Sequence, residues 1–184
     1  MNTEDLGNSK ILNLLFKLGG VVMESRLRHW LANPVKTLRG ADIQPGQTVL
    51  EVGCGTGFFT IPAAQLIGDQ GCLVAMDVLS DYIERVSKKV QAADLKNVRV
   101  VKRDALDTRL DAASIDMVLL FGVIPFPSLP LNRLLSEMHR VLKPEGSLAV
   151  WLFPISFGVP KSILRSGLFT YISKRNGVYK YKRC

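Results

Sequence analysis

A chain of 184 residues, 47% of them hydrophobic, has enough apolar material for one ordinary core and is not a disordered polymer. Its three cysteines, Cys54, Cys72 and Cys184, are odd in number and lack zinc-site spacing, which excludes a disulfide framework and points to a reduced, cytoplasmic setting with no metal. The net charge of +8 is uneven: residues 46–150 are close to neutral, whereas residues 151–184 carry seven basic residues and no acid. Such a tail suits an acidic substrate, an anionic membrane surface or nucleic acid, and equally suits solubility and protection of a sheet edge.

The first 45 residues read as a helical segment. The apolar stretch "ILNLLFKLGGVVM" (11–23) falls short of the roughly 20 residues of a membrane span and lacks a small-residue cleavage site. It fits a helix lying on the domain or on a membrane surface. "ESRLRHWLANPVKTLRGADIQPGQ" continues the helical pattern until Pro45-Gly46 stops it. The expectation is two parts, 1–45 as a lid or substrate segment over the mouth of a sheet, and 46–184 as the core.

From residue 46 onward short β-rich runs alternate with helical patterns. "TVLEV" (48–52) is a strand, and "GFFTIPAAQLIG" (57–68) a helix that tolerates Pro62 only in its first turns. "CLVAM" (72–76) is a second strand. "SDYIERVSKKVQAA" (80–93) is a helix with Ile83, Val86 and Val90 on one face, Ser80 as its N-cap and Asp81 in its first turn. "VRVVK" (98–102) and "IDMVLLF" (115–121) are the third and fourth strands. After Pro130, "LNRLLSEMHRVLK" (131–143) carries a full helical apolar stripe, stopped by "PEG", and "SLAVWLF" (147–153) is the fifth strand. "FTYISKRNGVYKYKR" (169–183) is a hairpin turning at Asn176-Gly177. Apolar strands separated by helices predict a parallel sheet covered on both faces. The expected fold is α/β: a single Rossmann-like, doubly wound domain whose seven-stranded, mostly parallel sheet ends in an antiparallel hairpin.

In such sheets ligands bind at the carboxyl ends of the strands, at the first strand-to-helix turn. Here that turn is "EVGCGTGFF", with Gly53, Gly55 and Gly57. The dinucleotide pattern G-x-G-x-x-G fails in both registers, because its third glycine falls on Phe58 or on Thr60. A P-loop fails because no Gly-Lys-Ser/Thr follows. What remains is an acid, Glu51, two residues ahead of the first of three alternating glycines. An acid ending a buried strand requires a partner.

These residues resemble the cofactor motif of class I S-adenosylmethionine-dependent methyltransferases. The likeness continues through "VAMDV", "KRDAL", "SIDMVLLFG" and "EMHRVLKPEGSLAVW", five motifs in order over almost all of residues 45–153. Small ubiquinone- and menaquinone-biosynthesis-like methyltransferases are the nearest kind, their "RVLKPGG"-type turn standing here as "RVLKPEG". The resemblance implies S-adenosylmethionine as cofactor, with Asp77 on the ribose hydroxyls, Asp104 toward the adenine amino group and Ala105 beside the ring. The cofactor set is Glu51, Gly53, Cys54, Gly55, Gly57, Asp77, Val78, Asp104, Ala105 and Phe121. Four of them have a plainer reading: Asp77 as a helix-entry acid, Val78 as core, Asp104 as a carboxylate closing a turn, Cys54 as a small buried residue.

Methyl transfer from a sulfonium is an in-line displacement with an activated leaving group, so positioning can carry much of the catalysis without a metal or an acid. No general base is identified by the sequence. His29, in "RLRHWL", is the weak catalytic candidate and His139 reads as structural. The loop "FGVIPFPSLP" (121–130) lacks the Asp/Asn-Pro-Pro-aromatic motif of nucleic-acid amino methylases, which leaves no clear nucleic-acid signal. Its apolar surface suits a lipophilic acceptor, or simply packing on the N-terminal helices. The expected partner is therefore a small-molecule methyl acceptor, with peripheral contact to an anionic surface and a homodimer both open. A non-catalytic adenosyl-binding module, an aminopropyltransferase and a nicotinamide oxidoreductase are the competing readings.

Overall fold

The computed structural model describes residues 33–124, 129–152 and 158–184. The expectations for His29, for residues 1–32 and for Phe126 lie outside these residues. Seven strands form one sheet: β1 (Thr48–Val52), β2 (Cys72–Asp77), β3 (Val98–Lys102), β4 (Ile115–Phe121), β5 (Leu142–Trp151), β6 (Phe169–Arg175) and β7 (Val178–Arg183). Their order is β3-β2-β1-β4-β5-β7-β6. The first five strands are parallel, and β7 runs antiparallel between β5 and β6. The chain thus starts at the middle of the sheet, winds one way through β3, then crosses back to β4. That reversal opens the crevice in which α/β sheets bind ligands.

Both faces are covered. Leu50 and Val52 of β1, with Val74, Met76, Val118, Leu120, Leu148 and Val150, pack against α4 (Leu131–Val141) and α5 (Val159–Arg165). The alternate residues Val49, Leu73, Met117, Leu119 and Ala149 pack against α1 (Pro34–Ala41) and α2 (Thr60–Ile67). Val86 and Val90 of α3 (Ser80–Ala92) close the same side beyond Ala75. The period of two along each strand sends one set of side chains to each face, so Glu51 necessarily shares the face of Val49 and α2.

Strands β1, β3 and β4 have the boundaries their sequence patterns predict, and the hairpin turns at Asn176 and Gly177, whose φ of 49° and 79° are the two positive values of a type I′ turn. Three local expectations need correction. Helix α2 starts at Thr60, because residues 57–59 are used by the glycine turn. Ser80 is not an N-cap: extended Leu79 precedes the helix, its N–H goes to Asp77, and the Ser80 hydroxyl accepts from Lys102 instead (2.9 Å). Helix α4 ends at Val141, before "PEG", and β5 begins at Leu142. Pro144 disfavours the helical conformation at Lys143, so the chain is already extended there and pairs Leu142 with Ile115 before a register shift brings Ser147 opposite Met117.

Helix α1 is built into the body. Asn33 caps it by accepting the Lys36 N–H at 3.0 Å, and Leu38 and Ala41 are fully buried. Gly40 lets α1 lie directly on the hairpin, since a Cβ there would run into the Arg175 carbonyl oxygen. Asn176 donates to the Lys36 carbonyl (2.8 Å), and Lys180 pairs with Asp42 (3.1 Å).

Candidate functional site

The carboxyl end of β1 leads into the glycine turn. Gly53, Gly55 and Gly57 all have positive φ, at 68°, 53° and 83°. At Gly53 the turn has no room for a side chain: a Cβ would lie 2.8 Å from Cγ2 of Val123, in the segment that leaves β4. The crevice between β1 and β4 is therefore closed from the β4 side by Val123 pressing on bare backbone. Helix α3 presses from the other side. Its Val86 approaches Gly57, and Lys89 donates to the Thr56 carbonyl at 2.7 Å.

Asp77 ends β2 beside this turn, buried at 8% exposure. Its two oxygens face different backbone donors: Oδ2 accepts the Gly55 N–H (3.0 Å) and Oδ1 the Leu79 N–H (3.0 Å). The carboxylate is thus locked in one orientation, and each oxygen has accepting capacity to spare. Burial nevertheless raises its proton affinity above the ordinary aspartate value.

Glu51 is 3% exposed. The partner its burial demands is Thr60, at the first residue of α2, whose hydroxyl donates to Oε2 at 2.6 Å. Glu51 Oε1 has no hydrogen-bond partner among the described residues. Loss of solvent pushes the Glu51 carboxyl up to about 8, and the neighbouring Asp77 adds to the effect. The Cys54 thiol, also buried, is raised by burial first and then by Glu51 and Asp77, which makes it a poor nucleophile. Its backbone N–H extends the sheet by donating to the Met76 carbonyl at 2.9 Å.

The remaining residues of the predicted set divide. Val78 is half-buried directly after Asp77, and Ala105 is buried. Asp104 closes its own turn, accepting the Leu106 N–H at 2.8 Å, and stays half-exposed. Phe121 ends β4 inside an aromatic cluster, edge-on to Phe59 at 5.0 Å and 6.5 Å from Trp151, on the face covered by α1 and α2. The structure thus brings Glu51, Cys54, Asp77 and the three glycines together, and Asp104 follows the strand adjacent to β2. Val123, Thr60 and Lys89 were missed. Thr60 had a faint signal, a hydroxyl in the turn after the glycines. Val123 and Lys89 had none, because only tertiary packing carries them to the turn.

His139 is on α4, which covers the sheet face opposite to the one that Glu51 shares. Its Nε2 hydrogen-bonds the Cys184 carbonyl (2.9 Å) and its ring stands edge-on to Phe169 at 5.9 Å. The longer contact from Arg183 Nε to the same nitrogen (3.4 Å) is secondary, since one nitrogen cannot donate and accept at once. These contacts tie α4 to the two strands of the hairpin. Among the described residues no group of acids, cysteines and histidines could hold a metal ion, and no helix is long and apolar enough to cross a membrane.

The family model described as "Methyltransferase domain" matches residues 49–146, which span β1 to the start of β5 and contain the whole glycine turn, Asp77 and Asp104. The chain belongs to that family, the class I S-adenosylmethionine-dependent methyltransferases. Among curated proteins it is similar to the demethylmenaquinone methyltransferase of Bacillus cereus, 32% identical over 132 residues that cover 71% of this chain and 54% of the relative. The corresponding Bacillus anthracis protein is 31% identical over the same shares. The chain spans about half the length of the curated relatives it matches. Among solved structures it resembles a SAM-dependent methyltransferase of Aquifex aeolicus, with TM-score 0.72 at 22% identity, over 90% of this chain and 96% of the other. It also resembles the [4+2]-cyclase SpnF, with TM-score 0.62 at 20% identity, over 74% of this chain and 56% of the other. The two likenesses establish the fold; that one of them is a cyclase shows why activity is argued from the site.

The site fits the family's cofactor on its own chemistry. Two buried carboxylates with raised proton affinity form an environment short of positive charge, which suits a molecule bearing an ammonium and a sulfonium. Asp77 offers two fixed acceptors for paired hydroxyls.

Proposed function

We propose that this chain is an S-adenosylmethionine-dependent methyltransferase acting on a small lipophilic acceptor. The observation that carries the reading is Asp77, held by the Gly55 and Leu79 N–H groups against a glycine turn at the strand-order reversal. Asp77 would take the ribose hydroxyls, with Val78 and Ala105 packing beside the base and Asp104 oriented toward its exocyclic amine. Glu51 Oε1 would receive the ammonium group, directly or through water. The cofactor supplies an electrophilic methyl on a positively charged sulfur. The protein's part is to hold that methyl in a dry crevice and align the nucleophile, an effect worth up to roughly 7–11 kcal/mol. Half-buried Val123, against Gly53, and buried Ile124 would help to exclude water there.

The lipophilic acceptor rests on the apolar loop after β4 and on the likeness to demethylmenaquinone methyltransferases. Residues 1–45 complete the acceptor side in this reading.

The reading is tested by titrating S-adenosylmethionine into the wild type and Asp77→Ala, with Asp77→Asn as a folding control by circular dichroism. Losing two charge-assisted hydrogen bonds should weaken binding about 100-fold or more. Equal affinity in a folded variant rejects the ribose assignment. Methyl transfer to a demethylated quinol, but not to amines or thiols, identifies the acceptor class.

A further inference from the structure

Most large apolar side chains of the described residues are withdrawn from solvent. Among the described residues four exceed a third exposure: Val35 at 36%, Leu164 at 45%, Tyr171 at 47% and Ile172 at 48%. Three of the four fall between residues 164 and 172, inside the segment that contains no acid. Helix α5 buries Val159 and Ile163 and turns Lys161, Leu164 and Arg165 outward. Those three stand at i, i+3 and i+4, one stripe of a helix. Helix α5 leads into β6, the edge strand of the sheet, where Ile172 sits at the register shift between Tyr171 and Ser173.

The cations of this region are of two kinds. Lys180 pairs with Asp42, Lys182 pairs with Glu145, Arg183 donates to the Leu142 carbonyl, and Lys174 lies over the Tyr179 ring. Lys161, Arg165 and Arg175 form no ion pair among the described residues. Two of these three flank Leu164 on the same stripe. We infer that the outer face of α5 and the adjoining edge strand β6 dock onto an anionic lipid bilayer, with Lys161 and Arg165 on the headgroups and Leu164, Tyr171 and Ile172 entering the interface.

The combination of side chains selects this occupant. A bilayer interface takes apolar and aromatic side chains between headgroup-bound cations. A nucleic-acid backbone would use the cations and leave Leu164 and Ile172 without a role. A second copy of the chain in a two-fold contact would set the cations Lys161 and Arg165 against themselves, like charge facing like.

The test is co-sedimentation of the full chain with vesicles of phosphatidylcholine alone, or with roughly a third phosphatidylglycerol, at about 50 mM and about 500 mM salt. Sedimentation without cofactor makes the result independent of the methyl-transfer reading. Binding is expected only to the anionic vesicles and is expected to fall several-fold at high salt. Each surface cation contributes about a fivefold factor, so the double variant Lys161→Glu/Arg165→Glu should bind at least about 25-fold more weakly. Leu164→Ser/Ile172→Ser should lose the salt-resistant part. Both variants should keep the wild-type affinity for S-adenosylmethionine, which shows that they are folded. Equal binding to both vesicle types, undiminished binding of the charge-reversed variant, or preference for duplex DNA over anionic vesicles in direct competition overturns the proposal.

Discussion

Two carboxylate clusters of this molecule have opposite electrostatics. Glu137, on α4, accepts the Thr108 N–H (3.0 Å) and hydroxyl (2.6 Å) on Oε1, and Arg140 Nε on Oε2 at 2.8 Å. Arg140 also reaches the Leu110 carbonyl at 2.9 Å, so the pair ties α4 to the loop between β3 and β4. The Arg140 guanidinium first, and then the Thr108 donors, hold the Glu137 carboxyl down at about 2. Glu51 and Asp77 are more deeply buried, and among the described residues their donors are neutral: a hydroxyl to Glu51 and backbone N–H groups to Asp77. Their proton affinities rise instead of falling. One cluster is electrically closed by the chain itself and serves the fold. The other finds no cation among the described residues, which is the physical mark of a candidate binding site.

The contrast can be broken experimentally. The largest effect is expected for Glu137→Ala, which orphans the Thr108 donors and the Arg140 charge and should cost about 2 kcal/mol in denaturant unfolding at neutral pH. Because the folded-state carboxyl is depressed, this contribution is complete above the ordinary glutamate range and disappears as pH falls through about 2. A variant as stable as the wild type at pH 7 would deny the cluster its structural role. Cofactor affinity should change little.

Glu51→Gln should behave in the reverse sense. The folded wild type holds the Glu51 proton more tightly than the unfolded chain, so its stability falls as pH rises from the ordinary glutamate range to about 8. The glutamine variant should lose that slope. Affinity for S-adenosylmethionine should rise toward pH 8 in the wild type, by up to about tenfold per pH unit, as the carboxylate that receives the ammonium forms. In the variant it should stay flat. Parallel pH profiles of the two proteins would remove Glu51 from the site.

The smallest effect is expected for Lys89→Met, which removes the bond from α3 to the Thr56 carbonyl and keeps most of the side-chain volume. A loss of about 1 kcal/mol in stability and a few-fold weaker cofactor binding are expected. Stability lost without any change in affinity would make Lys89 a brace of the core alone.

Much of this was legible beforehand. The strands announced themselves as β-branched runs, "TVLEV" and "VRVVK" to the residue, and Asn176-Gly177 marked the hairpin. Helix α5 escaped notice because its seven residues are too few to show a period. Glu51 was recognisable as an acid in need of a partner, but not the partner: Thr60 meets it only because α2 folds back over β1.

The sequence alone determined the α/β alternation, the glycine turn and the acids flanking it, because local propensity and hydrophobic period are properties of neighbours along the chain. Tertiary structure decided the rest. It set Val123 and Val86 against the turn from two sides, gave Glu137 a cation and left Glu51 and Asp77 without one among the described residues. It also laid α1 against the hairpin through the bare backbone of Gly40. These depend on distances between residues remote in sequence, and burial and charge are sums over such distances.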